Sequence, residues 1–231
     1  MKTGSGCNSA FSIFNFTFLL ALCAAAAGCF DEPTPAYKTV PAEARVYLKG
    51  GKLEKLTDEA LLKDGRVFVE GSGWTNLSAR VKSLDPASLD YLNLDRNALT
   101  NVDAVAAFKG LKWLRLNGNR LSSLPSLSEL KSLRRIYLAD NAFAAVPEQL
   151  KDLPELTDVD LSGNPVKEIP AWLAEKKGLK NLSFSRTQIK KLPDNIDAWK
   201  SLKSLQLGEL SLSPEEMARI RKTLPDVAVV F

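Results

Sequence analysis

Asp158-Val-Asp160 places two carboxylates two positions apart. On an extended strand that spacing turns both side chains to one face, which is what a hydrolase built on paired acids would need. Solvated strand charges explain the pair better, because isolated carboxylates away from a cleft are rarely perturbed. The chain of 231 residues contains no His, and two of its three cysteines, Cys7 and Cys23, belong to an apolar leader. Ser-His and Cys-His catalysis, imidazole proton transfer and the common zinc sites all lose a required group. No P-loop lysine motif or dinucleotide fingerprint occurs. The sequence therefore predicts no catalytic residue, no metal site, no cofactor and no enzyme activity. A hydrolase would rest on Asp158 and Asp160 alone.

The remaining cysteine has a different chemistry. Met1 and Lys2 precede the apolar run 16–27, and small residues lead to Gly28-Cys29. A charged start, an apolar core and a small-residue exit mark a secretory signal, and the run is short for a membrane span. Ala26-Ala27-Gly28-Cys29 resembles a bacterial lipobox, with Ala26 where Leu is usual. That resemblance implies a lipoprotein signal peptide over 1–28 and lipidation, palmitate included, at Cys29. Phe30 rather than Asp favours the outer membrane of a bacterial envelope. A soluble secreted protein and an uncleaved membrane anchor are the alternatives. One cysteine in the mature chain permits no internal disulfide. Residues 29–45, with Pro33, Pro35 and Pro41, read as an extended tether, and 46–65 as an N-terminal cap.

The rest of the chain must build the scaffold. It is 45% hydrophobic and 25% charged, enough for a sizeable core, and its net charge of +4 is too mild and mixed to predict a nucleic-acid partner. A frame Leu-x-x-Leu-x-Leu-x-x-Asn-x-Leu recurs as "LDYLNLDRNAL" from Leu89, "LKWLRLNGNRL" from Leu111, "LRRIYLADNAF" from Leu133 and "LTDVDLSGNPV" from Leu156. "LKNLSFSRTQI" from Leu179 and "LKSLQLGELSL" from Leu202 continue it, and a degenerate copy fits Val67, Val69, Ser72, Trp74 and Leu77. A fixed period of this length signals a solenoid. Alternate leucines would fill one core. Asn97, Asn119, Asn141 and Asn164 would satisfy the backbone groups stranded by the turn after each strand. Thr187 keeps only a hydroxyl, and Leu210 should end the ladder. The three-residue apolar spacing of 123–133 predicts a short helical or 3₁₀ return. At the end, Ser213, Pro214 and Glu216 predict a capping box opening a helix, followed by an edge strand over 227–231.

These frames resemble the leucine-rich repeat family in its roughly 23-residue bacterial form. The resemblance implies an α/β solenoid, a horseshoe with a parallel sheet on the concave face and short helical or 3₁₀ segments on the convex face. Residues 66–212 would be about seven repeats, the first degenerate, and 213–231 a C-terminal cap. It also implies a non-catalytic module that binds a protein or peptide on that sheet. Two outward rows follow from the frame: Tyr91, Trp113, Arg135, Asp158, Asn181, Ser204, and Asn93, Arg115, Tyr137, Asp160, Ser183, Gln206. Aromatic residues and arginines dominate binding hot spots. The ligand patch is therefore Tyr91, Asn93, Trp113, Arg115, Arg135 and Tyr137, edged by Asp158 and Asp160. Against this stands the reading that the arginines pair with Asp95, Asp158 or Asp160 while the aromatics merely shield the strands. Glycan binding, or a structural envelope role without a specific ligand, are further alternatives. A monomer is expected, held to a membrane through its N-terminal lipid.

Overall fold

The structure, a computed structural model, describes residues 65–231 except Ser72, Ser78 and Ser83. The expected signal peptide, Cys29, the tether and all but the last residue of the expected N-terminal cap lie outside the described residues, as does Ser72 of the first frame. Eight three-residue strands form one open, all-parallel sheet in sequence order. They are β1 Arg66–Phe68, β2 Tyr91–Asn93, β3 Trp113–Arg115, β4 Arg135–Tyr137, β5 Asp158–Asp160, β6 Asn181–Ser183, β7 Ser204–Gln206 and β8 Ala228–Val230. The register is the one the frame demands: Leu92 opposes Leu114, Leu114 opposes Ile136, and Ile136 opposes Val159. These central residues are fully buried, as are Leu94, Leu116, Leu138 and Leu161 two positions on. They stack into one continuous core, so each coil buries its apolar side against its neighbours.

The strands are short because the chain turns immediately after them. The residue just before the Asn slot sits in the left-handed region in six successive frames: Arg96, Gly118, Asp140, Gly163, Arg186 and Glu209, with φ of 56°, 65°, 54°, 67°, 56° and 60°. Only Gly118 and Gly163 adopt it without side-chain cost; each of the others gives up about 1 kcal/mol. At Gly163 a Cβ would also meet the Asp140 carboxylate, which would have to turn aside to admit it.

The asparagines outweigh that cost. Asn119 Nδ2 donates to its own turn at Leu116 O (2.9 Å) and Asn117 O (3.3 Å), and across the coil to Leu94 O (3.0 Å). Its Oδ1 accepts from Leu99 N–H at 3.1 Å. Asn97, Asn141 and Asn164 repeat the pattern, bridging to Val69 O, Leu116 O and Leu138 O and accepting from the N–H groups of Trp74, Leu121 and Phe143. Thr187 donates only within its own turn, to Phe184 O. Bridging by this slot thus ends one frame before Leu210, because a hydroxyl is too short and has too few donors to span two coils.

The return paths carry α1 Ala79–Lys82, 3₁₀ turns at Asp103–Ala107, Glu148–Asp152 and Ile196–Ser201, and α2 Ala171–Glu175. The expected segment over 123–133 is absent. That stretch forms no helix and closes in two successive turns in which Leu130 N–H donates to Leu127 O and Leu133 N–H to Leu130 O. Pro125 lacks a donor, and the hydroxyls of Ser126 and Ser128 bond each other instead of capping a helix. The leucines there are buried all the same.

The C-terminal cap is α3 Pro214–Thr223 followed by β8. Ser213 accepts from Glu216 N–H at 3.2 Å, but the expected capping box does not close. Glu216, 8% exposed, turns away to accept the Leu192 N–H at 2.8 Å and the Arg219 guanidinium at 2.7 Å, while Arg219 donates to Leu192 O at 3.1 Å. The two side chains together grip both backbone groups of one residue in the preceding coil, which a capping box would leave unmet. The Arg219 hydrogen bond holds the Glu216 carboxyl below the usual carboxylate range, against the opposing effect of burial.

Asn119→Ala strands a buried N–H and two or more carbonyls, so denaturant unfolding should show a loss of about 2–4 kcal/mol; Thr187→Ala should lose about 1 kcal/mol. Glu216 stabilises only when ionised, and its folded pKa is the lower one. Its contribution should be complete above an unfolded value of about 4.3 and vanish as pH falls further. A Glu216→Gln variant should therefore be less stable than the parent at pH 7, with the gap closing below pH 4.

Candidate functional site

The parallel register fixes the outer sheet face. Tyr91, Trp113, Arg135, Asp158, Asn181 and Ser204 oppose one another in one row, and Asn93, Arg115, Tyr137, Asp160, Ser183 and Gln206 in the next. The expected patch is brought together, yet it is less exposed than the frame suggests. Tyr91 is 3% exposed, Asn93 2% and Asp158 4%, and Tyr137 is also buried, whereas Trp113, Arg115, Arg135 and Asp160 are half-buried. The reason is mutual packing. Side chains spaced by the width of a parallel ladder are large enough here to cover their neighbours.

Aromatic rings and guanidinium groups interleave. Phe68 leans on Tyr91 with centroids 5.0 Å apart, and Tyr91 meets Trp113 edge-on at 5.6 Å. Arg135 then lies 4.6 Å over the Trp113 ring, and Arg115 lies 5.2 Å over Tyr137. Both arginines are ion-paired as well: Arg115 with Asp95 at 2.7 Å, and Arg135 with Asp158 at 3.6 Å. Each guanidinium is thus held between a ring and a carboxylate, so its orientation is set before any ligand arrives. Desolvation raises the pKa of Tyr91 far above the usual phenol value and raises that of Tyr137 as well, so both rings carry neutral hydroxyls. The Tyr91 hydroxyl oxygen is buried without a hydrogen-bond partner among the described residues.

Asp158 and Asp160 do not act as a pair. Asp158 accepts from Asn181 Nδ2 at 2.5 Å and from the Thr157 hydroxyl, while Asp160 accepts from Ser162 N–H at 3.0 Å. Desolvation lifts the Asp160 carboxyl above its usual range, opposed by the Ser162 hydrogen bonds. Among the described residues no three His, Cys, Asp or Glu side chains converge where a metal ion could sit. No helix among them is long and apolar enough to cross a membrane.

A third row, two positions beyond the strands, escapes the two-row reading. Asp95 Oδ1 accepts Asn117 N–H at 2.8 Å, and Asn117 Oδ1 accepts Ala139 N–H at 2.8 Å. Asp95 is therefore anchored to the backbone and, in turn, fixes Arg115. The signal was present in the sequence as polar residues directly after Leu94 and Leu116, where the chain leaves the sheet with open N–H groups.

Residues 87–143 match the leucine rich repeat family. No curated protein matches the chain. Among solved structures it resembles a leucine-rich repeat protein of Leptospira interrogans, with a TM-score of 0.61 and 26% identity over 75% of this chain. The chain spans 50% of that protein's length. The family match, that likeness and the open eight-stranded sheet make this a leucine-rich repeat solenoid, a fold that typically carries no catalytic centre. The matching solved chains number 361, so the fold alone selects no ligand.

Because the Tyr91 hydroxyl loses hydration without gaining a partner, Tyr91→Phe should leave stability unchanged or raise it by about 1 kcal/mol in denaturant unfolding. A loss above that size would mean that the hydroxyl is bonded.

Proposed function

We propose that the outer face of the repeat sheet binds a protein or peptide ligand without catalysis, and that the domain is held at a bacterial envelope by a lipid on Cys29. The observation carrying the first part is the interleaved group Tyr91, Trp113, Arg135, Arg115 and Tyr137. Large aromatic side chains and oriented guanidinium groups lose little rotamer freedom on binding when neighbours already fix them. The half-exposed Trp113, Arg115 and Arg135 are the contact points, Asp160 borders them, and the buried Tyr91, Asn93, Tyr137 and Asp158 hold them in place. Protein is favoured over glycan because a sugar needs a bare ring face, and arginines lie over Trp113 and Tyr137. The anchor rests on the lipobox-like 26–29 alone.

A Trp113→Ala, Arg135→Ala double variant should recover at least tenfold less of the partner cross-linked from envelope extracts, as expected when two hot-spot residues are removed. Its melting temperature should stay within a few degrees of the parent. Equal recovery from the two proteins would place the ligand elsewhere. In the same cells Cys29→Ala should move the protein from the detergent to the aqueous phase.

A further inference from the structure

Four of the six complete frames are entered through one tetrapeptide, Lys-(Gly or Ser)-Leu-(Lys or Arg), at 109–112, 131–134, 177–180 and 200–203. The other two are entered through Ala-Ser-Leu-Asp at 87–90 and Pro-Glu-Leu-Thr at 154–157. The leucine points into the core, and the last residue of each tetrapeptide is pinned in a backbone column just before the strands. Arg134 N–H donates to Lys112 O, Thr157 N–H to Arg134 O, Lys180 N–H to Thr157 O and Lys203 N–H to Lys180 O, at 2.7–2.8 Å. The cations therefore project from one flank of the solenoid, and all are exposed.

Most lack a partner. Lys109 pairs with Glu129 at 3.0 Å, while Lys112 and Arg134 make only loose pairs at 3.7 and 3.8 Å. Lys131, Lys177, Lys180, Lys200 and Lys203 form no ion pair with any described residue. Like charges opposed at a ladder spacing of about 4.8 Å repel one another. The opposite flank, where the chain leaves the strands, mixes signs and pairs them: Arg96 with Glu70 at 2.9 Å and Arg186 with Asp140 at 3.1 Å. Eight of the chain's 31 Lys and Arg residues thus stand along one side.

That column fits a flat array of anions better than a shaped ligand. Lysines act as point charges towards phosphate without fixing its orientation. Among the described residues this flank offers no exposed ring on which a nucleobase could stack, since Phe108 and Trp199 beside the tetrapeptides are buried. We propose that this flank lies on the anionic headgroups of a phospholipid bilayer, which stands the sheet edge-on so that its outer face opens sideways to a ligand. The contact needs neither a lipid on Cys29 nor the concave ligand.

The test is co-sedimentation of the full chain with phosphatidylcholine vesicles and with vesicles containing phosphatidylglycerol. The zwitterionic arm measures whatever the N-terminal apolar run contributes, and the anionic increment measures the flank. A lysine near such a surface contributes about fivefold in partitioning. Replacing Lys177, Lys180, Lys200 and Lys203 by Gln should therefore cut the increment at least about tenfold and leave the zwitterionic arm unchanged. Replacement by Arg should preserve the increment, and raised salt should abolish it. The proposal falls if the parent shows no increment, if the Gln variant keeps it, or if soluble polyphosphate is bound while anionic vesicles are not. Normal vesicle binding by the Trp113→Ala, Arg135→Ala variant would separate this surface from the concave site.

Discussion

A parallel ladder that turns after three residues leaves backbone groups without partners, and every other feature of this molecule accommodates that fact. In an ordinary parallel sheet longer strands use those groups. Here each coil must bend at once to bring its next leucines back to the core. The amide of Asn97, Asn119, Asn141 or Asn164 reaches two carbonyls of its own turn and one of the preceding coil. The bond to the earlier coil is the important one, because it makes the turn geometry of one frame depend on its neighbour. The left-handed residue before each Asn aims the amide inward, and four of six frames accept a side chain there despite its cost.

The C-terminal end shows the same requirement met by other means. Past Asn164 the Asn slot no longer bridges two coils, although Ser185 still accepts the Gly208 N–H of the next coil at 3.1 Å, and the cap adds a bridge of its own. Glu216 and Arg219 on α3 bind the N–H and C=O of Leu192, doing with an ion pair what an amide does earlier. The pair is sheltered enough for its charge-assisted bonds to count, unlike the exposed surface pair Lys191–Asp194.

The outer sheet face is a consequence of the inner one. Once alternate residues are committed to the core, the residues between them stand side by side at ladder spacing. Large side chains in those positions must pack on each other. Phe68, Tyr91 and Trp113 form a run of rings, Arg135 closes it, and Asp158 neutralises Arg135. The same positions in later strands hold Asn181 and Ser204, which are small, so the large aromatic and cationic side chains are concentrated over β2 to β4.

The sequence alone determined the coil: its period, its register, the leucine interior and the asparagine slots are all legible, because each is a one-dimensional repeat of residue type. The rows of the outer face followed from the same register, down to which residue opposes which. Other properties depend on groups distant in the chain and could not be read from it. The burial of Tyr91 and Asp158 arises from neighbours in adjacent coils. The return over 123–133 keeps the leucine spacing but closes in two separate turns rather than one helical segment. Glu216 left its expected capping role because the Leu192 backbone, 24 residues earlier, offered a better partner. Periodicity encodes what each residue faces, but the competition among neighbours for hydrogen bonds and solvent is settled only when the coils stack.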